Sequence, residues 1–299
     1  MRIADVIRLV LLAALWGSSF MFQRVVAPAI GPLATAASRL LIAGVALTLA
    51  FVVMRSDIQW RHWRQYLLIG IVNSAVPFFL FAFAALYIPA SYSAVMNSTA
   101  PMFAALIGTL FLREPFTWKA GLGLALGAVG VALVARAGPV ELTTDALLAL
   151  GACLAASCSY AISGAYMKRK ATLLKPRNVA AASQLFAGLG LCLLLLPFAL
   201  GLVGPQGPLR APTLDAVTTQ VALCALALAL LCGAVAYLIY YRLVADVGAT
   251  RALTVTFLIP VFGVLWGALI LHETITGPML GGCALVIAAT WLVVNSQRK

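Results

Sequence analysis

Apolar stretches long enough to cross a bilayer recur from one end of the chain to the other, and no other feature constrains the fold as tightly. They lie near residues 7–27, 33–53, 66–87, 90–112, 119–135, 146–167, 179–201, 219–241, 249–271 and 277–295. A hydrocarbon core about 30 Å thick takes about 20 helical residues to cross. Inside it every backbone amide and carbonyl needs a partner within the protein, so a span is a helix or a strand of a closed barrel. These windows are too long and too uniformly apolar for barrel strands. The breaks between them rest on Pro28 and Pro32, Pro89, Glu114-Pro115, Gly138-Pro139, Gly248 and Gly277-Pro278. Composition agrees, with 64% hydrophobic residues and 9% charged, against about 25% charged in soluble domains. The chain reads as an all-α membrane protein of ten transmembrane helices. With so little charge the chain does not read as a soluble enzyme, a disordered chain or a nucleic-acid-binding domain.

The formal net charge of +12 reads as orientation rather than as an anionic partner. With the N-terminus inside, the basic residues gather on the cytoplasmic segments, leaving Arg24, Arg39, Arg136 and Arg210 on the outer side. That bias suits an even number of spans with both termini cytoplasmic. It predicts that cysteines placed at Ser56 and Thr172 label from the cytoplasm and one at Gln206 from outside. The first apolar run follows Arg2 and Arg8 as a signal peptide would. It carries Trp16-Gly17-Ser18-Ser19 in mid-span with no small-residue cleavage site, and reads as retained.

The chain also repeats itself. Setting Pro101 on Pro260 matches Gly108 with Gly267, Glu114 with Glu273 and Thr117 with Thr276, all in one register without a gap. Apolar matches are cheap in membrane helices, whereas Pro, Gly, Glu and Thr in one register are not. The same proline register lays the third span on the eighth. Each half has five spans, an odd number, so the second enters the membrane inverted. The halves are placed at residues 1–138 and 139–299. Such inverted repeats serve alternating access around a site at the repeat interface.

These residues resemble the EamA family of the drug/metabolite transporter superfamily. The likeness is carried by Leu15-Trp16-Gly17-Ser18-Ser19-Phe20, Ser38-Arg39-Leu40-Leu41, Ala100-Pro101 through Leu112-Arg113-Glu114-Pro115, and Ile259-Pro260 through Leu271-His272-Glu273. The size and layout are similar to bacterial amino-acid and metabolite exporters, including the YddG type that exports aromatic amino acids. The resemblance implies a central cavity lined by the third, fourth, eighth and ninth spans. It also implies an inner membrane location in a bacterium. The second half departs from the first where Trp16-Gly17 and Arg39 stand, offering Cys158-Ser159 and Gln184.

Polar groups in hydrocarbon are costly and turn toward the bundle interior or a watery cavity. Trp16, Ser19, Asn73, Phe78, Asn97, Tyr160, Tyr237 and Thr256 are the candidate substrate contacts, with Asn97 and Tyr237 facing each other across the repeat interface. Serine and threonine can instead bond their own helix backbone, and asparagine can bridge helices. Tyr87, Tyr240 and Tyr241 read as interfacial anchors. Arg39 can hold a substrate carboxylate in a two-pronged contact or snorkel to the headgroups. Glu114 and Glu273, at span ends, are candidate caps or gates at the two mouths.

No catalytic residue, metal site or cofactor is expected. The six cysteines form no Cys-x-x-Cys pair, His62 and His272 stand apart, and there is no phosphate-binding glycine loop. No acid lies near the centre of a span, so facilitative transport, driven by the substrate gradient, is the expectation. The glycine pairs Gly123 and Gly127, Gly263 and Gly267, and Gly277 and Gly281 read as packing seams within a monomer or weak homodimer. The leading function is export of amino acids, aromatic ones among them, or related small metabolites by alternating access. A polytopic membrane enzyme, a channel, and a carrier of sugars or nucleotide-linked solutes are the alternatives.

Overall fold

The computed structural model describes residues 2–54, 58–137, 141–171, 173–202 and 214–296. The repeat boundary at 138/139 and the labelling positions Ser56, Thr172 and Gln206 lie outside them. The described residues form ten apolar spans: α1 (Ile3–Ile30), α2 (Pro32–Val53), α3 (Trp60–Ala84), α4 (Ala90–Asn97 as α4a, Ala100–Leu112 as α4b), α5 (Trp118–Ala137), α6 (Thr144–Lys170), α7 (Pro176–Ala199), α8 (Thr219–Val247), α9 (Ala249–Ala252 as α9a, Val255–Ile270 as α9b) and α10 (Gly277–Ser296). Nine are long and apolar enough to cross a membrane, α4 with its two segments taken together; α9 is the exception, since α9b alone has 16 residues.

Both broken spans carry a proline. In α4 the interruption falls at Ser98 and Thr99, just before Pro101, which offers no N–H and crowds the preceding turn. Neighbouring helices take up the backbone groups there. Thr290 of α10 donates to the Ser98 carbonyl at 2.9 Å, and Ser157 of α6 donates to that of Met96 at 3.2 Å. In α9 the break comes earlier, at Leu253 and Thr254, and Pro260 stays within α9b. The windows at 90–112 and 249–271, read in sequence as continuous helices, are therefore each two segments.

Helix association in lipid rests on close packing, because lipid tails are as apolar as leucine. Glycines supply the approach. A methyl group on Gly44 of α2 would come within 2.5 Å of the Leu185 backbone nitrogen of α7. One on Gly188 of α7 would meet the Leu41 nitrogen of α2 at the same 2.5 Å. Gly123 and Gly130 of α5 and Gly282 of α10 seat those two helices on each other in the same way. Gly17 of α1 lies against Ile259, Phe262 and Gly263 of α9b.

The α2–α7 contact corrects the repeat alignment. A single step carries both Leu41 to Leu185 and Gly44 to Gly188, and it is shorter than the step from Pro101 to Pro260. The first two spans of each half therefore obey this leucine register, and the later spans obey the proline register. The difference is taken up in the connection from α7 to α8, which is longer than that from α2 to α3. In the leucine register Tyr160 is the counterpart of Trp16, and Ser183, rather than Gln184, is the counterpart of Arg39. The proline register is matched by a feature with no signature in the sequence. A wide π-helical turn interrupts α3 at Ile71–Ala75, and another interrupts α8 at Leu230–Val235, with Ile71 and Leu230 as counterparts. Such turns are frequent at functional sites.

Candidate functional site

Arg39 lies two turns into α2 and is 6% exposed. Its guanidinium carbon sits 3.7 Å from the ring centre of Phe78 on α3. Its Nε has no hydrogen-bond partner, and none of the four ion pairs among the described residues includes it. The polar groups within its electrostatic reach are the hydroxyls of Tyr160 and Tyr237 and the thiol of Cys232. A guanidinium so enclosed does not snorkel, and that reading is set aside. Placing a charge in a bilayer costs about 2.5–3.5 kcal/mol on insertion scales; the cation–π contact returns about 0.5–2 kcal/mol.

The walls come in repeat-related pairs. Phe78 and Tyr237 are counterparts in the proline register, and each follows its π turn by a few residues. Trp16 and Tyr160 are counterparts in the leucine register. The Trp16 ring lies 5.9 Å from that of Tyr237 and 5.5 Å from that of Tyr240. Tyr160 stacks on Phe81, the counterpart of Tyr240, at 6.4 Å. The two repeats thus contribute matching aromatic walls, while the positive charge comes from the first alone. Among the described residues no three His, Cys, Asp or Glu side chains gather to share a metal ion.

The other candidates stand apart from this group. The Ser19 hydroxyl donates to the Trp16 carbonyl at 2.6 Å and that of Thr256 to the Leu253 carbonyl at 2.8 Å. Asn73 sits half-buried in the α3 π turn, at the place Cys232 holds in α8, and Asn97 half-buried at the end of α4a. No described hydrogen bond joins either to Arg39 or to Tyr237. Tyr240 and Tyr241, read as interfacial anchors, belong to the aromatic group instead, with Tyr241 6.1 Å from Tyr237. Their spacing of three and four residues from Tyr237 puts them on its helix face, a signal present in the sequence. Cys232 lies 3.6 Å from the Ser18 hydroxyl. Two crevices, one lined by Leu68, Val72 and Tyr166 and the other by Phe79, Leu147 and Ala155, are apolar grooves between α3 and α6, and Arg39 lines neither.

The two glutamates share one local design. Arg113 and His272 adopt left-handed backbone, with φ of 57° and 54°. The amides of Glu114 and Glu273 then close onto the carbonyls of Gly108 and Gly267 at 3.2 and 3.0 Å, capping α4b and α9b. Each carboxylate is held over its glycine. From there they part. Glu273 accepts from the backbone amides of Ala90 at 2.6 Å and Ser91 at 3.0 Å, whereas Glu114 pairs with the Lys168 ammonium.

The profile of the EamA-like transporter family matches residues 6–136 and 147–295, one unit in each half. The chain is 27% identical over 292 residues to the protein PecM of Dickeya dadantii, covering 95% of this chain and 91% of that one. It is 25% identical to a probable amino-acid metabolite efflux pump of Salmonella typhimurium, covering 96% and 94%. With the uncharacterized transporter YvbV of Bacillus subtilis it shares 25% identity over 97% of this chain and 91% of the relative. A solved crystal structure superposes on all of this chain and 99% of its own with a TM-score of 0.67 at 16% identity, which speaks to the fold.

Proposed function

Because the chain belongs to the EamA-like transporter family, and so is a multi-pass membrane transporter rather than an enzyme, we propose that it exports small metabolites bearing a carboxylate, amino acids foremost, by alternating access. Arg39 carries this reading. A buried guanidinium without an anionic partner leaves part of its desolvation cost uncompensated, and a carboxylate matches its planar fork in a two-pronged, charge-assisted contact. The substrate supplies the missing charge. Phe78, Tyr160, Tyr237 and Trp16 offer apolar faces to its remainder, which suits aromatic and other large apolar side chains. Neutral sugars give the guanidinium no anionic group to pair with, whereas a nucleotide-linked solute would offer it a phosphate. The relative named as a probable amino-acid metabolite efflux pump supports the same class.

The distribution of acids supports facilitative movement. Asp5, Glu114, Glu141, Asp145, Asp215, Asp246 and Glu273 lie at helix ends or in connections. A proton carrier needs a group whose protonation differs between access states, and burial in mid-span is what brings a carboxylate toward neutrality. The bias of the basic residues supports an orientation with both termini facing the cytoplasm.

Counterflow in liposomes tests the reading. Amino acids should exchange, while the matching amines that lack the carboxyl, and sugars, should not. An imposed pH gradient should not drive accumulation. Exchange of the decarboxylated amines at the rate of the amino acids would overturn the assignment.

A further inference from the structure

The corner between α3 and α4 is gripped at both of its helix ends. The carbonyls of Ala85 and Leu86, at the C-terminal end of α3, accept from Arg24 of α1 at 2.5 and 3.2 Å. The amides of Ala90 and Ser91, at the N-terminal end of α4a, donate to Glu273. Each helix pole meets the opposite charge. Around this corner Tyr92 is 1% exposed and Ala94 fully buried, and α4a packs against α9b.

The repeat places the same four parts at the other end of the bundle. The leucine register carries Arg24 to Lys168. The proline register carries Ala85 and Leu86 to Val244 and Ala245, Ala90 and Ser91 to Ala249 and Thr250, and Glu114 to Glu273. There the parts are arranged differently. Lys168 and Glu114 pair with each other, and among the described contacts neither reaches the α8–α9 corner. The counterparts of Tyr92 and Ala94, Arg251 and Leu253, are exposed, the latter by 49%. Here α9a rests on α8 of its own repeat.

We propose that these are two copies of one clamp, which exchange between access states. At a closed end the cation holds the carbonyls and the glutamate holds the amides of the corner. At an open end the two side chains release the corner and neutralise each other. In the opposite state Lys168 binds the Val244 and Ala245 carbonyls, Glu114 binds the Ala249 and Thr250 amides, and Arg24 pairs with Glu273. The basic residues assign the clamped end to the outside, so the present structure is open to the cytoplasm. The clamp rests on the alternating access proposed above but on no particular substrate.

Labelling that needs no substrate tests it. Ser91→Cys places a thiol in the clamped corner, where the serine hydroxyl is buried without a partner. An impermeant maleimide is applied from outside, with the unsubstituted protein reporting its native cysteines. Adding Glu273→Gln should raise the labelling rate about tenfold, as a charge-assisted contact is lost; Arg24→Gln is the equivalent lesion should that variant fail to fold. The paired exchange Glu114→Lys with Lys168→Glu keeps the ion pair but presents the wrong charge to both helix poles at the inner corner. It should lower outside labelling and stop counterflow while the melting temperature stays unchanged. A merely structural ion pair predicts the reverse, that the exchange restores what either single change removes. Restoration of labelling and counterflow by the exchange, or unchanged labelling in Glu273→Gln and Arg24→Gln, would overturn the clamp.

Discussion

α2 and α7 meet through the same contact made twice, Gly44 on Leu185 and Gly188 on Leu41. At the position where α2 carries Arg39, α7 carries Ser183, a buried residue with no charge. The aromatic walls are likewise duplicated, Phe78 against Tyr237 and Trp16 against Tyr160, around a guanidinium that occurs once. Shape and charge therefore obey different rules. The duplicated glycines and rings give packing that works equally well in either orientation, which is what the alternating access proposed above requires. A substrate with a carboxyl at one end needs a single anchor, and duplication of that anchor would put two cations in one buried space.

The strongest way to break this comparison is to remove the anchor and leave the packing. In Arg39→Met, counterflow of amino acids should fall about a hundredfold, the worth of a charge-assisted contact of roughly 3 kcal/mol. The melting temperature should hold or rise, because an apolar side chain replaces an unpaired buried charge. Opposite signs in the two measurements mark a functional rather than a structural residue; normal counterflow would remove Arg39 from the site.

The duplicated packing is tested by damaging each copy. Gly44→Ala and Gly188→Ala each drive a methyl group into backbone atoms that a rotamer change cannot move. Each should cost about 1–3 kcal/mol. What matters is their equality, to within about 0.5 kcal/mol in detergent unfolding. A larger gap would show that the two seams are alike in geometry but not in load.

How much of this is legible in the sequence follows the same division. The spans, their number and the inverted repeat are written in apolar windows and in the register from Pro101 to Glu114. The first two spans of each half align wrongly from sequence, because the longer α7–α8 connection shifts the register and the matching pairs are chemically unlike: Trp16 with Tyr160, Arg39 with Ser183. The π turns leave no trace, since a widened turn needs no particular residue. Arg39 can be named as a candidate but not resolved between two fates, because snorkelling depends on what surrounds the side chain. Tyr240 and Tyr241 are misread by depth alone, although their spacing from Tyr237 points inward. Glu114 and Glu273 are matched by register, yet one takes Lys168 and the other the Ala90 and Ser91 amides, a difference in surroundings that the register does not encode.

A smaller effect is expected at the aromatic walls. Trp16→Tyr makes the two walls alike and loses part of the contacts to Tyr237 and Tyr240. Such ring pairs are worth about 0.5–1.5 kcal/mol, so the half-saturating substrate concentration should rise roughly threefold to tenfold with the maximal rate little changed. An unaltered concentration dependence would place Trp16 outside the site.

The smallest effect separates two serines that occupy the same place in the repeat. Ser19 and Ser163 are counterparts in the leucine register, as are Trp16 and Tyr160, and both are buried, at 5% and 1% exposure. Ser19 donates to the Trp16 carbonyl, so its hydroxyl is satisfied within its own helix. The hydroxyl of Ser163 is buried without a partner, beside an apolar crevice lined by Leu68 and Val72. A buried hydroxyl left unpaired costs about 1–3 kcal/mol in desolvation, while a satisfied one contributes about 0.5–1.5 kcal/mol. Ser163→Ala should therefore raise the unfolding temperature slightly and Ser19→Ala should lower it slightly. The same substitution at equivalent positions then has opposite signs, because the repeat conserves where a side chain sits and not what it finds there. Equal shifts in the two variants would mean that Ser163 finds a partner in the membrane, such as a lipid carbonyl in the crevice, and that the two halves are more alike than their contacts show.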